Sequence, residues 1–176
     1  MPMRRRTLLL SVLAVSALVP PTAARAQRAF GPLDVAALLR MDEVQLQSIY
    51  RGGTVAGLPA GRTRGTVLPA PGARRNAAMS AAARLVWQGK EVGPAGTTAV
   101  NRFFGVRTVA GRLYQGVSWL DGGPTLVLDY SGSSRVYANK RDEIRLIAPG
   151  LYLGVMHDRA TNPPTLDTYF VLETTP

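Results

Sequence analysis

The stretch from Leu126 to Glu173 decides the fold. It reads LVLDYSGSSRV at 126–136, RDEIRLIAPGLYLGVMHD at 141–158 and TLDTYFVLE at 165–173. These apolar runs have the length of β-strands, and Gly, Pro, Ser or Asn residues separate them. Charged and apolar residues alternate from Glu143 to Leu146, which places successive side chains on opposite faces of a sheet. The Ala-Pro-Gly turn at 148–150 joins two of the runs closely enough for an antiparallel hairpin. We therefore predict a twisted antiparallel sheet that closes into a small barrel.

Working outward, short apolar runs bounded by turn residues continue through most of the chain. Asp121-Gly122 is a strong hairpin signal, because glycine tolerates the positive φ that a tight turn needs. The predicted strands cover 64–68, 100–104, 107–113, 115–120, 125–130, 142–147, 151–158 and 166–173. About eight antiparallel strands can close around one small ligand.

Two short helices are predicted before the barrel. Asp34 is placed to cap a helix through Arg40, and Asp42 to cap a second helix with Gln45 as its capping-box partner. The pair at 52–53, Gly-Gly, should end the second helix with a left-handed residue.

A third helix is predicted at 76–88, with Asn76 as its N-cap and an end at Gly89. Its apolar face should carry Met79, Ala82, Leu85 and Val86. Such a helix would cover or plug one end of the barrel. The fold class is thus mainly β, an antiparallel barrel with N-terminal and capping helices.

Composition excludes several kinds of site. The 176 residues include no Cys and one His, which rules out thiolate chemistry and a metal site built from several histidines. We expect no cofactor and no metal. No apolar stretch after the N-terminal segment is long enough to span a membrane.

The first 26 residues read as an export signal. Three arginines at 4–6 precede an apolar segment at 7–19, and Ala24-Arg25-Ala26 fits a small-x-small cleavage site. The order Arg-Arg-Thr-Leu-Leu at 5–9 also resembles a twin-arginine signal, so a Sec or twin-arginine route stays open. We expect a periplasmic or secreted protein cleaved near Ala26, with a helical segment at 27–57 and the barrel at 58–176.

The net charge of +10 falls once this segment is removed. Residues 27–176 carry 17 basic and 11 acidic side chains, a net charge of +6. A basic surface attracts anionic lipid or nucleic acid, or serves solubility alone. The arginines are not interleaved with aromatic residues as in a nucleic-acid face, so we expect no nucleic-acid partner and leave peripheral membrane contact open.

Several motifs together resemble a known group of sequences. They are RGTVLPAPG at 64–72, LVWQGKEV at 85–92, NRFFGVR at 101–107, SWLDGGPTLVLDYS at 118–131 and RDEIRLIAPGLYLG at 141–154. The chain resembles a family of small uncharacterised bacterial proteins that share Trp-Gln-Gly-Lys, Asp-Tyr-Ser and Asp-Glu-Ile-Arg … Pro-Gly-Leu-Tyr-Leu-Gly segments. That resemblance implies a calycin-like architecture, a lipocalin-type barrel with added helices, and implies no reaction or ligand. The export signal and the loop at 160–164 depart from the family pattern.

The candidate ligand-binding residues are aromatic and charged. Trp87, Trp119, Tyr130 and Tyr152 would line an apolar cavity, or else pack an ordinary core. An inward arginine would anchor an anionic head group, or else form a cross-strand ion pair. The candidates for this polar part are Asp129, Arg135 and Arg145.

Catalytic signals are weaker. His157 could act as a base with Asp129 or Asp167, since its neighbour Asp158 faces the other way on a strand. No serine lies in a Gly-x-Ser-x-Gly elbow. We therefore predict an exported protein that binds a small apolar or amphiphilic molecule such as a lipid. The alternatives are a barrel-type isomerase, cyclase or hydrolase acting on a similar ligand, and a structural envelope protein.

Overall fold

The structure, a computed structural model, describes residues 31–174. Its strands are β1 (Gly61–Leu68), β2 (Trp87–Val92), β3 (Thr98–Phe103), β4 (Val106–Val117), β5 (Pro124–Asp129), β6 (Lys140–Ala148), β7 (Leu151–Asp158) and β8 (Thr165–Thr174). All eight are antiparallel to their neighbours in sequence, and β8 pairs with β1 to close a barrel. This is the up-and-down order of lipocalins, and it confirms the predicted fold class.

Two helices precede the barrel, α1 (Val35–Arg40) and α2 (Glu43–Gly52). The Asp34 side chain accepts from the Ala37 amide at 2.6 Å, and Asp42 and Gln45 form the capping box. Both predicted caps are confirmed. Gly53 follows α2 with φ −73°, so the predicted left-handed residue is wrong. Glycine is needed there because an added Cβ would lie 2.9 Å from Cβ of Arg145.

The barrel carries two apolar layers, one on each face of its sheet. Helices α1 and α2 cover the outer face, where buried residues include Leu38, Leu46, Ile49, Leu153, Val155 and Val171. The inner face fills the barrel with residues that include Leu113, Leu126, Leu128, Ile144, Phe170 and Leu172. Because side chains alternate along a strand, each of β6 to β8 contributes to both layers.

The third helix, α3 (Asn76–Val86), differs from its prediction. Asn76 lies inside the helix and is buried, where its side chain bonds Ala70 and Leu39 instead of capping. The predicted apolar face is exposed: Leu85 is 76% exposed and Met79 36%. The buried residues of α3 are Asn76 and Ser80 instead, and the helix packs against β1.

The structure corrects the predicted strands at two places. The segments predicted at 107–113 and 115–120 are one long strand, β4, which continues through Gly116. Strand β2 begins at Trp87, directly after α3 and without a loop, where a helix end and a turn were predicted. The turns at Gly122 and Gly150 are confirmed, with φ +71° and +70°.

Within residues 31–174, no helix is both long and apolar enough to cross a membrane. The predicted export segment lies outside the described residues.

Candidate functional site

A cavity of about 170 Å³ lies inside the barrel. It is at the end where β1, β3, β5 and β7 finish. Apolar and aromatic side chains make most of its wall. The lining residues are Val67, Trp87, Lys90, Asn101, Phe103, Tyr130, Tyr137, Asp142, Met156, Thr168 and Phe170.

A buried ion pair forms the polar part of this wall. Lys90 Nζ lies 2.7 Å from Asp142 Oδ2, and neither side chain is more than 3% exposed. Asp142 points inward because it shares a face of β6 with Ile144, which is also buried inside the barrel. Buried charges are stable only when paired and hydrogen-bonded, so this pair depends on its surroundings.

Two neutral side chains complete the network. Lys90 donates to Asn101 Oδ1 at 2.8 Å and to the Tyr130 hydroxyl at 2.9 Å. Tyr130 donates in turn to Asp142 Oδ2 at 2.6 Å, and Trp87 Nε1 donates to Asn101 at 2.9 Å. We call Lys90, Asn101, Tyr130 and Asp142 the inner cluster. All three N–H groups of the Lys90 ammonium have an acceptor in it.

One polar atom of the inner cluster has no partner. Among the residues that the structure describes, none donates a hydrogen bond to Asp142 Oδ1, although this atom is fully buried. An unsatisfied buried carboxylate oxygen is costly, and native structures rarely keep one without a reason. Because Asp142 lines the cavity, a donor on a molecule held there could supply the missing bond.

Burial also shifts the acid–base chemistry of the cluster. Burial lowers the pKa of Lys90, and the nearby Asp142 carboxylate opposes this shift. Burial raises the pKa of Tyr130 well above its usual value, and the Asp142 charge adds to the increase. Tyr130 therefore stays protonated and remains a hydrogen-bond donor to Asp142.

Aromatic rings surround the ammonium group. Lys90 Nζ lies 5.0 Å from the ring centre of Phe170 and 5.3 Å from that of Trp87. Such contacts with the negative faces of aromatic rings favour a cation. They help to keep a charge inside an otherwise apolar barrel.

The structure brings only part of the predicted site together. Trp87 and Tyr130 line the cavity. Tyr152 is also inside the barrel, but it packs below the cavity and its hydroxyl donates to the Gly57 carbonyl at 3.1 Å.

The other four predicted residues lie elsewhere. Trp119 is 43% exposed on the outer face of the barrel, where its ring lies 4.1 Å from the Arg141 guanidinium. Asp129 faces outward and pairs with Arg159 at 2.7 Å, and Arg135 is exposed in the loop after β5. Of the two alternatives for these arginines, an inward anchor or an ion pair, the structure shows an ion pair at Arg145, and neither Arg135 nor Arg145 points into the barrel. Arg145 binds Asp121 through two bonds of 2.7 Å on the outer face.

A second buried polar group lies on the outer face beneath α2. Glu143 accepts from Ser118 at 2.5 Å, from the Trp119 amide at 2.7 Å and from Tyr50 at 3.3 Å, and it pairs with Arg141. We call Tyr50, Ser118, Arg141 and Glu143 the outer cluster. None of its four residues lines the cavity inside the barrel, and both oxygens of Glu143 have donors.

His157 belongs beside this outer cluster. Its Nδ1 lies 3.7 Å from Glu143, the carboxylate that takes the place expected of Asp129 or Asp167. Burial lowers the pKa of His157, the Glu143 charge opposes the shift, and the Arg141 charge adds to it. The neutral imidazole faces the Trp119 ring and does not line the cavity.

Sequence reasoning missed Lys90, Asn101 and the inward role of Asp142. One signal was present: the chain has only two lysines against 19 arginines, and one of them lies beside Trp87. The pairing of Lys90 with Asp142 had no signal, because β2 and β6 are distant in sequence. Among residues 31–174, no three His, Cys, Asp or Glu side chains are grouped as metal ligands.

Comparisons with known proteins support the fold alone. No family model matches the chain, and no curated protein matches it. The chain is similar to a solved structure described as a protein from Thermomonospora curvata, with a TM-score of 0.52 and 15% sequence identity. The match covers 89% of this chain and 99% of that one. The similarity confirms a shared barrel architecture.

Proposed function

We propose that the barrel binds a small, mainly apolar molecule that carries a hydrogen-bond donor. The observation that supports this most directly is Asp142 Oδ1, which has no donor within residues 31–174 and lies at the wall of an apolar cavity. Ligand pockets are mostly apolar with a few placed polar groups, and this cavity has that composition.

The size of the cavity limits the ligand. Its volume of about 170 Å³ is close to that of a cavity of about 150 Å³ that encloses benzene. One ring or a short branched chain therefore fits. A long-chain lipid, the kind of ligand that the sequence suggested, would have most of its chain outside the barrel.

The inner cluster also selects the polar group of the ligand. Every N–H of Lys90 already has an acceptor, and the unused capacity is that of a carboxylate oxygen. A hydroxyl, amide N–H or ammonium group would bind there. A carboxylate would be repelled by Asp142, so the anionic head group expected from the sequence does not suit this cavity.

A matched set of ligands tests this selection. Benzyl alcohol and toluene differ by one hydroxyl, and benzoate replaces it with a charge. We expect benzyl alcohol to bind at least about tenfold more tightly than toluene, because a hydrogen bond to a charged acceptor contributes about 1.5–3 kcal/mol. NMR titration of the purified chain measures this ratio. Equal affinities, or tightest binding of benzoate, would contradict the proposed polarity.

A cavity-filling variant tests the location. Thr168→Phe places a ring in the cavity and should abolish benzyl alcohol binding. Thr165→Phe makes the same change on the same strand, where the side chain is exposed and outside the cavity. Binding that survives in Thr168→Phe would place the ligand elsewhere.

Catalysis in the same cavity is a second proposal, and the lowered pKa of Lys90 favours it. Once Lys90 has passed a proton to Asp142, the neutral amine would attack an aldehyde carbon and release water to form an imine, as catalytic lysines do. Cyanoborohydride reduction after incubation with benzaldehyde would trap that imine. Labelling of Lys90 in preference to Lys140, the other lysine, supports this function. Labelling of Lys140 alone contradicts it.

We also propose that the chain acts in the periplasm or outside the cell. The support is the export-like sequence at 1–26, which lies outside the described residues. Cell fractionation with N-terminal sequencing tests this, and a mature chain that starts at Gln27 is the expected result. A cytoplasmic chain with Met1 retained would contradict it.

A further inference from the structure

Four apolar side chains project into solvent beside the mouth of the barrel. Leu85 is 76% exposed, Val86 41%, Phe104 74% and Val106 60%. We call these four residues the tip. They are adjacent in space, because the Phe104 amide donates to the Val86 carbonyl at 2.8 Å and Val106 follows the same turn. Clustered exposed apolar residues mark an interaction surface more often than isolated ones.

Phe104 occupies a strained position in this tip. It has φ +51° and precedes Gly105 with φ +80°, so the two form the hairpin turn between β3 and β4. Asn, Asp or Gly usually occupies the first position of such a turn, because other side chains crowd the backbone there. Phe104 gains little burial in return. The strain therefore indicates that the exposed ring of Phe104 contacts another molecule.

Arginines surround the base of the tip. Arg102 and Arg107 pair across the hairpin, and Arg84 precedes Leu85 in α3. Arg62, Arg64, Arg84 and Arg102 line a groove beside the helix. Two acidic residues lie nearby, Glu91 within 3.7 Å of Arg62 and Arg107, and Glu173 at 3.8 Å from Arg64. The arginines outnumber them, so the surroundings of the tip are basic.

The tip is continuous with the cavity. Val86 and Phe104 are exposed, whereas their chain neighbours Trp87 and Phe103 line the cavity wall. A surface that covers the tip therefore lies next to the mouth.

We propose that the tip docks on an anionic lipid bilayer. Apolar side chains bordered by arginines match the boundary between acyl chains and phosphate head groups. A second copy of the chain fits less well, because it would bring the same arginines together. This docking does not depend on a ligand in the cavity, and it would place the mouth against the membrane.

Vesicle flotation of the full chain tests the proposal. The probe is vesicles of phosphatidylglycerol and phosphatidylcholine in equal amounts, compared with phosphatidylcholine alone. We expect binding to the anionic vesicles that weakens as salt increases. The combined variant Leu85→Gln with Phe104→Asn should lose at least about tenfold in affinity, since two large apolar side chains no longer leave water.

The two ends of β4 supply a matched control. Val106 and Val117 are its first and last residues, exposed by 60% and 63% at opposite ends of the barrel. Val106→Ser should weaken vesicle binding, whereas Val117→Ser should not. Because all these side chains are exposed, thermal unfolding should show that each variant folds.

Three outcomes would overturn the proposal: a wild-type chain that does not float with anionic vesicles, a tip variant that binds like wild type, or equal effects at Val106 and Val117. Ultracentrifugation that shows tip-dependent dimers without vesicle binding would assign the surface to self-association instead. The Thr168→Phe variant separates this proposal from ligand binding, because it should still dock.

Discussion

Asp142 and Glu143 are neighbours in β6, yet they serve two different buried clusters. Asp142 faces the cavity, and one of its oxygens has no donor among the described residues. Glu143 faces α2, and both of its oxygens accept hydrogen bonds. A fully satisfied buried carboxylate is accounted for by the packing of a helix on a sheet. A half-satisfied carboxylate beside a cavity is accounted for by a ligand.

The same comparison separates the two groups of cations. Arg141 and Arg145 lie on the outer face, where each guanidinium donates to a carboxylate and to at least one backbone carbonyl. Lys90 serves the inner face, where space inside the barrel suits a compact ammonium with three donors. The arginines therefore connect elements of the fold, whereas Lys90 and its partner Asp142 form the charged part of an otherwise apolar cavity wall.

The largest expected effect is at Glu143. Glu143→Gln leaves Arg141 buried without its counter-charge, which should lower the free energy of unfolding by about 3–5 kcal/mol. Urea denaturation measures this loss. The control is Glu173→Gln, whose ion pair is exposed and should contribute no more than about 1 kcal/mol. Similar losses for the two variants would show that the outer cluster does not stabilise the docking of α2.

Variants of the inner cluster should change the free energy of unfolding in a different way. Asp142→Asn leaves the Lys90 charge unpaired and should cost about 3 kcal/mol. Adding Lys90→Met removes the second charge and should recover part of this loss, because no uncompensated charge then stays buried. The double variant should fold but no longer prefer benzyl alcohol to toluene. If it retained that preference, the inner cluster would not be the polar anchor.

The outer cluster should also make the free energy of unfolding depend on alkaline pH, through the hydroxyl of Tyr50. Burial raises the pKa of Tyr50 to about 12, and its hydrogen bonds with Thr125 and Ser118 oppose the shift. Above pH 10 the unfolded chain loses this proton while the folded chain keeps it. Stability should therefore fall as pH rises from about 10 to 12, by about 2–3 kcal/mol from this residue.

The difference between wild type and Tyr50→Phe isolates that contribution. At neutral pH the variant should be less stable by about 1 kcal/mol, since it loses hydrogen bonds to Thr125 and Glu143. Above pH 10 the gap should close and then reverse. A constant gap across this range would show that the hydroxyl titrates normally.

Local patterns were enough for part of this architecture. The alternation from Glu143 to Leu146 predicted correctly that successive side chains of this strand lie on opposite faces, because strand geometry depends only on neighbouring residues. The same holds for the caps at Asp34 and Asp42 and for the glycine turns. The start of β2 was missed because α3 runs directly into it, with no Gly or Pro before Trp87 to mark the boundary.

The candidate site was predicted in part for a similar reason. Trp87 and Tyr130 were identified by residue type, and both line the cavity. Arg145 was identified by its charge. Alternation places it on the same face of the strand as Glu143, but does not show whether that face lies inside or outside the barrel. That depends on where α1 and α2 pack, which the strand pattern does not contain.

By itself, the sequence determined an antiparallel barrel of about eight strands, its hairpin turns and its helix caps. Only the tertiary structure decided which face of each strand became the interior, and that Lys90 of β2 meets Asp142 of β6. The physical reason is distance along the chain. Alternation and turn chemistry act between neighbouring residues, whereas a buried ion pair exists only once the barrel has closed around it.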